Sequence, residues 1–192
     1  GFAIKPTLFF EFHGSEAAVA EQAAQMRAIT EEFGGSAFEW ATKPEDRTRL
    51  WKARHAAYYA AKAMFPGKEV FATDACVPIS RLADCVLETK ADADATGLVA
   101  PIVGHVGDGN FHLAYMVKDG DEAQRALAEG MSLRMVQRAI ALEGTCTGEH
   151  GIGVHKLDAL VAEHGEAVDM MRTIKRALDP FDIMNPGKTI PR

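Results

Sequence analysis

His105 and His112 stand at the two ends of HVGDGNFH, and a second glycine-bracketed run, TGEHGIG at 147–153, sets a carboxylate and an imidazole side by side as Glu149 and His150. Such groups ligate zinc, manganese or iron, and an imidazole that is not a ligand can act as a general base. On one continuous strand, residues seven apart would face opposite sides of a sheet. Asp108-Gly109 is a turn signal, however, so the chain reverses and both imidazoles can sit at one end of a hairpin. Asp108 is then available as a ligand or as an acceptor that orients an imidazole. A pair of hydrogen-bonded core histidines fits the same spacing.

In TGEHGIG an extended loop points Glu149 and His150 in opposite directions, so one can complete a metal site while the other faces a substrate. A helix cap followed by a glycine turn, with Glu149 in solvent, is the alternative. Two histidines and one glutamate leave coordination positions open, which a catalytic Lewis acid needs and a structural site does not. Trp51, Arg54 and Tyr58 share one face if residues 45–64 are helical. Arg54 there is either a snorkelling or ion-paired side chain or the fork that binds a substrate carboxylate. Together these parts would hold a small hydroxy acid at both ends, but none of them accepts a hydride.

Elements must position these groups. Strands are expected at 7–12, 36–41, 70–77, 98–104 and 111–117, and helices at 16–33, 45–64, 80–95, 121–143, 156–163 and 166–178, followed by the irregular tail DPFDIMNPGK. Ser15, Pro44 and Ser80 mark helix starts, and Gly34-Gly35, Pro66-Gly67 and Gly144 mark stops. A tight turn between 98–104 and 111–117 forces an antiparallel pair, so the class is α+β rather than a doubly wound parallel sheet. His155 and Lys156, at the start of a helix, read as surface residues.

The chain has 192 residues, 47% of them hydrophobic, enough for one good core. A net charge of -6 with dispersed basic residues argues against nucleic acid as partner. No apolar run is long enough for a transmembrane helix, and the N-terminus has no address signal. Three widely spaced cysteines fit free thiols in a reducing compartment.

Five blocks, LWKARHAAYYA at 50–60, TDACVPIS at 73–80, HVGDGNFH at 105–112, TGEHGIG at 147–153 and LDPFDIMNPGK at 178–188, resemble the C-terminal part of FAD-linked oxidases of the vanillyl-alcohol oxidase type, nearest to the cytochrome-type D-lactate dehydrogenases. The resemblance implies a ferredoxin-like, mostly antiparallel sheet with helices on one face. Residues 1–144 would form an N-terminally incomplete substrate-binding cap, and residues 145–192 a catalytic loop and helical segment packing toward a separate FAD domain. It implies FAD as hydride acceptor, a divalent metal, zinc or manganese, held by His105, His112 and Glu149, and His150 as base. Arg54 would bind the substrate carboxylate and Asn185 would approach the flavin. The implied activity is oxidation of a D-2-hydroxy acid, with D-lactate favoured. Ala114 stands where relatives acting on a dicarboxylate resemble one another in a polar residue, which disfavours D-2-hydroxyglutarate; a glycolate oxidase subunit stays an alternative. Electrons would pass to cytochrome c, a quinone or an electron-transfer flavoprotein, in the cytoplasm or peripheral to an energy-conserving membrane. The resemblance leaves a homo-oligomer open. A non-catalytic metal- or ligand-binding module and a metallohydrolase remain the readings of other classes, and the fragment alone is expected to be inactive.

Overall fold

Phe111, Leu113, Tyr115 and Val117 are each at most 1% exposed, the period-two signature of a strand with one face sealed. In the computed structural model, which describes residues 5–191, that strand is the centre of an antiparallel sheet. The chain divides into two compact units, one ending at Ala60 and the other starting at Ala61.

In the first unit, Ser15 caps α1 (Glu16–Glu32), its hydroxyl accepting the Ala18 N–H. Pro44 opens α2 (Pro44–His55), where a missing N–H costs nothing. The single helix expected at 45–64 is interrupted at Ala56 and resumes as α3 (Ala57–Met64), which runs across the boundary at Ala60 and Ala61. The break is slight, since the Ala60 N–H still reaches the Ala56 carbonyl at 2.9 Å. The strands expected at 7–12 and 36–41 do not form. Their aromatic residues pack on other side chains, Phe12 on Trp40 and Phe9 on Trp51, each at 6.2 Å between rings. An apolar run suits a pleated surface but makes no ladder without a partner strand.

In the second unit, β1 (Lys68–Ala72), β2 (Ala75–Cys76) and β3 (Ile102–His105) all pair with β4 (Asn110–Lys118), antiparallel throughout. β1 and β2 were expected as one strand, 70–77, and they share one register along β4, Ala72 opposite Ala114 and Ala75 opposite Phe111. The ladder is disturbed between them because the Leu113 N–H goes to the Thr73 hydroxyl at 2.9 Å.

α4 (Ile79–Thr96) and α5 (Glu122–Ala141) cover the sealed face. Cys85, Thr89 and Ala93 recur every fourth residue on one, and Ala128, Met131, Met135 and Ala139 at helical spacing on the other. Burying each large side chain here contributes about 1.5–3 kcal/mol. Across their outer surface Arg134 forks onto Asp92, with Nε–Oδ2 at 2.9 Å, and Arg138 donates to Thr89 at 2.8 Å. α6 (Leu157–His164) and α7 (Ala167–Leu178) follow. The α+β class with an antiparallel sheet and helices on one face is therefore the observed one. No helix among the described residues is long and apolar enough to cross a membrane.

Candidate active site

Because strand side chains alternate, the face of β4 opposite the core carries Asn110, His112 and Ala114. Val103 lies opposite His112 and His105 opposite Asn110, so His105, two residues beyond Val103, projects to the same face as His112, as a diagonal neighbour. The reversal runs through one 3-10 turn, Val106–Asp108, closed by Gly109 at φ 76. A β-carbon on Gly109 would lie 1.9 Å from the Val77 carbonyl oxygen, so no other residue fits there. By the shared register Asp74 faces His112 from the other side.

The Leu142–Cys146 segment returns to this edge. Cys76 and Thr145 exchange backbone hydrogen bonds at 3.2 and 2.7 Å, and the chain then folds over Asp74. One oxygen of that carboxylate, Oδ2, accepts the Thr147 hydroxyl at 2.6 Å and the N–H groups of Gly148, Glu149 and His150 at 2.9, 3.1 and 2.9 Å. Its Oδ1 accepts Asn110 Nδ2 at 2.8 Å. Asp74 is 1% exposed, and burial alone would raise its pKa. The hydrogen bonds from Thr147, His150, Asn110 and Glu149 overcome that and hold it well below the ordinary carboxylate range. Gly148 is required because a β-carbon would come within 2.0 Å of Asn110 Nδ2.

The loop is therefore not extended. Three successive N–H groups aim at one oxygen, a concave nest, and this corrects the expectation that Glu149 and His150 point in opposite directions: both reach His112. The Glu149 carboxylate stands 2.9 Å from His112 Nε2, and the His150 ring stacks on the His112 ring, centroids 4.8 Å apart and 10° from parallel. His112 Nδ1 lies 3.0 Å from the Thr73 carbonyl oxygen, which can only accept, so Nδ1 carries a proton. Nε2 then meets Glu149 either as a second N–H or, unprotonated, as a lone pair.

That donor set suits a divalent ion. Two ligand atoms at about 2.1 Å from one ion are about 3.0 Å apart at the right angles of an octahedral site and about 3.4 Å apart at a tetrahedral one, so the 2.9 Å His112–Glu149 separation is nearer the octahedral value. The backbone-bound Nδ1 is the outer contact that metal-bound imidazoles make. Ligand atoms of Asp74, His112 and His150 also gather within 4.8 Å of one another, but the Asp74 oxygens are engaged by the loop and by Asn110.

Residues 3–189 match the family model for the C-terminal domain of FAD-linked oxidases. The chain belongs to this family. It is 50% identical over 98% of its length to "Probable D-lactate dehydrogenase, mitochondrial" of Danio rerio, and 46% identical over 97% to "D-lactate dehydrogenase [cytochrome], mitochondrial" of Arabidopsis thaliana. A glycolate oxidase subunit of Bacillus subtilis is 32% identical over 96% of the chain. The chain spans 38%, 33% and 39% of those three proteins respectively.

In this FAD-linked oxidase domain, Arg54 lies half-buried on α2 in the unit that ends at Ala60. Trp51 shares that helix, whereas Tyr58 is on α3. Asn185 is exposed with φ 49, and its carbonyl accepts the Lys188 N–H at 3.0 Å. The tail around it is built on buried Asp179, which takes the Ile183 and Met184 N–H groups at 3.0 and 2.9 Å and pairs with Lys175. The Thr189 N–H reaches the Gly153 carbonyl at 2.8 Å, joining the tail to the end of the glycine-bracketed loop.

Two residues escaped the sequence reading. Lys156 is not a surface residue: its side chain is 17% exposed, and Nζ donates to the carbonyls of Asp74 at 2.9 Å and Cys146 at 2.6 Å. Burial lowers its pKa, opposed chiefly by the Asp74 charge. Asp74 sat inside an apolar strand pattern, and a carboxylate at such a position, which must be paired or hydrogen-bonded, was the available signal.

Proposed function

We propose that this chain is the substrate- and metal-handling part of an FAD-dependent D-2-hydroxy acid dehydrogenase, with D-lactate as substrate and pyruvate as product. The observation that carries the reading is the meeting of His112 Nε2 with the Glu149 carboxylate at 2.9 Å beside the stacked His150 ring. It occurs in a chain 50% and 46% identical to proteins named D-lactate dehydrogenase.

His112, Glu149 and, from the same sheet face, His105 are the residues that would hold zinc or manganese, whose chemistry is to make a bound alcohol more acidic. FAD, the acceptor named by the family, supplies the redox chemistry by taking a hydride. Arg54 binds the substrate carboxylate through its planar fork. His150, the exposed imidazole, takes the hydroxyl proton as the hydride leaves C2, and must be neutral to do so. Asn185 and the tail lie toward the flavin, and the electrons go on to a cytochrome, the acceptor in the Arabidopsis relative's name, at an energy-conserving membrane. The relatives' mitochondrial names support the same setting for this protein.

The test is anaerobic reduction of the intact flavoprotein by D-lactate, followed by its flavin absorbance. Bleaching is expected in wild type and at least 100-fold slower in His150→Asn, with flavin content unchanged; His105→Ala and Glu149→Ala are expected to lose bound metal. A flavin that D-lactate leaves oxidised, or unchanged metal content in both alanine variants, rejects the reading. The 32% identity to a glycolate oxidase subunit supports glycolate as the second substrate to compare, and a higher kcat/KM for glycolate would replace lactate with it.

A further inference from the structure

The TGEHG loop is short, glycine-bracketed and partly exposed, yet three consecutive backbone N–H groups of it are tied to one buried side chain. We propose that Asp74 is the positioning residue for Glu149 and His150, its carboxylate serving as the mould on which the Thr147–His150 turn is built. The inference rests on the functional reading above, because it takes from there the metal role of Glu149 and the proton role of His150.

Four donors converge on Asp74 Oδ2: one hydroxyl and three consecutive N–H groups. Consecutive amides share an acceptor only when the backbone curls around it, so this oxygen sets the curvature of the turn. The curvature turns Glu149 and His150 to the same side, onto His112. Asn110 holds the other oxygen at 2.8 Å and also donates to the Ala75 carbonyl at 3.0 Å, fixing the carboxylate against the strand. Lys156 braces the same point, joining the Asp74 and Cys146 carbonyls. Asp74 itself has no exposed side-chain surface, so it touches no substrate; it acts through the backbone of the turn and, with Oδ1 3.5 Å from Nδ1, on the His112 ring.

Charge matters as much as shape. Hydrogen bonds to an ionised acceptor are about twice as strong as neutral ones, and an asparagine at this position keeps the volume but loses the anion. An apolar residue would leave three N–H groups of the turn without their acceptor.

The experiment uses the intact protein with Asp74→Asn, Thr147→Val and Thr147→Ser. Three readouts are taken: amide hydrogen exchange of the peptide covering 148–150, Mn²⁺ affinity by calorimetry, and kcat and KM for D-lactate. Asp74→Asn is expected to speed exchange at 148–150 at least 10-fold while amides of the 111–117 strand stay protected. It should weaken Mn²⁺ by 10- to 100-fold, the range for residues that orient metal ligands, and lower kcat with KM within about threefold. Thr147→Val should move all three readouts in the same direction by less, and Thr147→Ser should stay near wild type. Unchanged exchange at 148–150 in Asp74→Asn overturns the proposal, as does a loosened loop with unchanged Mn²⁺ affinity and kcat. If Asp74→Asn does not fold, Thr147→Val decides on the same readouts. If wild type binds no Mn²⁺ and does not oxidise D-lactate, the functional reading fails, and exchange at 148–150 still decides whether Asp74 builds the turn.

Discussion

Cys146 directly precedes the turn that carries Glu149 and His150, and it is 1% exposed. Burial, and after it the neighbouring Glu163 carboxylate, push its thiol up to about 11, so at neutral pH it carries its proton and is a poor nucleophile. At pH 8, iodoacetamide is expected to leave Cys146 unmodified in the native protein over a time that labels it fully in urea, with mass spectrometry as the readout. Fast native labelling would mean that the loop opens readily. At this level the sequence was informative where chemistry leaves a local pattern. His105, Glu149 and His150 stand next to glycines that a plain strand or helix does not use, and His112 follows a glycine turn by three residues. Asp74 and Lys156 carry no such mark, because their partners lie 36 to 76 residues away for one and up to 82 for the other.

Elements hold these groups through a few side chains that reach between them. Glu163 on α6 accepts the Cys146 N–H at 2.8 Å and the Thr145 hydroxyl at 3.1 Å, pinning the start of the loop. Burial raises its pKa, but those two donors outweigh it and bring the carboxyl below its ordinary 4.5. A carboxyl depressed in the folded state adds stability above the unfolded value, and that stability is lost as pH falls through the folded one. Glu163→Gln should therefore lower the urea midpoint relative to wild type at pH 7, and the gap should narrow at pH 3.5; a gap that widens on acidification contradicts the assignment. On β4 the Tyr115 side chain is fully buried, and its hydroxyl has no hydrogen-bond partner among the described residues. Removing an unsatisfied buried hydroxyl relieves a desolvation penalty of about 1–3 kcal/mol, so Tyr115→Phe should melt at or above the wild-type temperature. A clear drop in Tm would mean that the hydroxyl is bonded. The helices were largely legible at this level because caps are local: Ser15 and Pro44 open helices as expected, whereas Ser80 lies inside α4, which starts at Ile79 behind Pro78. Strand ends were not, since a ladder depends on the partner strand; hence 7–12 and 36–41 are not strands, and 70–77 is broken where Thr73 exchanges a carbonyl for a hydroxyl.

In the molecule as a whole, the chain carries apolar surface that its own fold does not cover. Along α7, Met170, Ile174 and Leu178 recur every fourth residue at 64%, 53% and 74% exposure, and Phe181 and Ile183 in the segment that follows are exposed as well. A ridge of this kind marks an interface, and the D-lactate dehydrogenases named above are between two and a half and three times as long as the matched chain. If the segment packs toward a flavin domain, Leu178→Asp in the intact protein should reduce FAD retention after gel filtration while bound metal stays at the wild-type level. Full flavin content in that variant would separate the ridge from the flavin domain.

The sequence by itself determined where most helices lie, the antiparallel hairpin, the α+β class and the family, because each depends on residues near one another in the chain or on blocks whose order is written there. Tertiary structure decided the rest. The register of β1, β2 and β3 on β4 set Asp74 and His105 on the face of His112, and the return of the chain after α5 wrapped Thr147–His150 around one buried carboxylate. Hydrogen bonds between residues more than 70 positions apart have no period and no spacing to betray them. They exist only once burial has removed the water that would otherwise satisfy each partner, and it is that removal which turns HVGDGNFH and TGEHGIG from two separate motifs into one site.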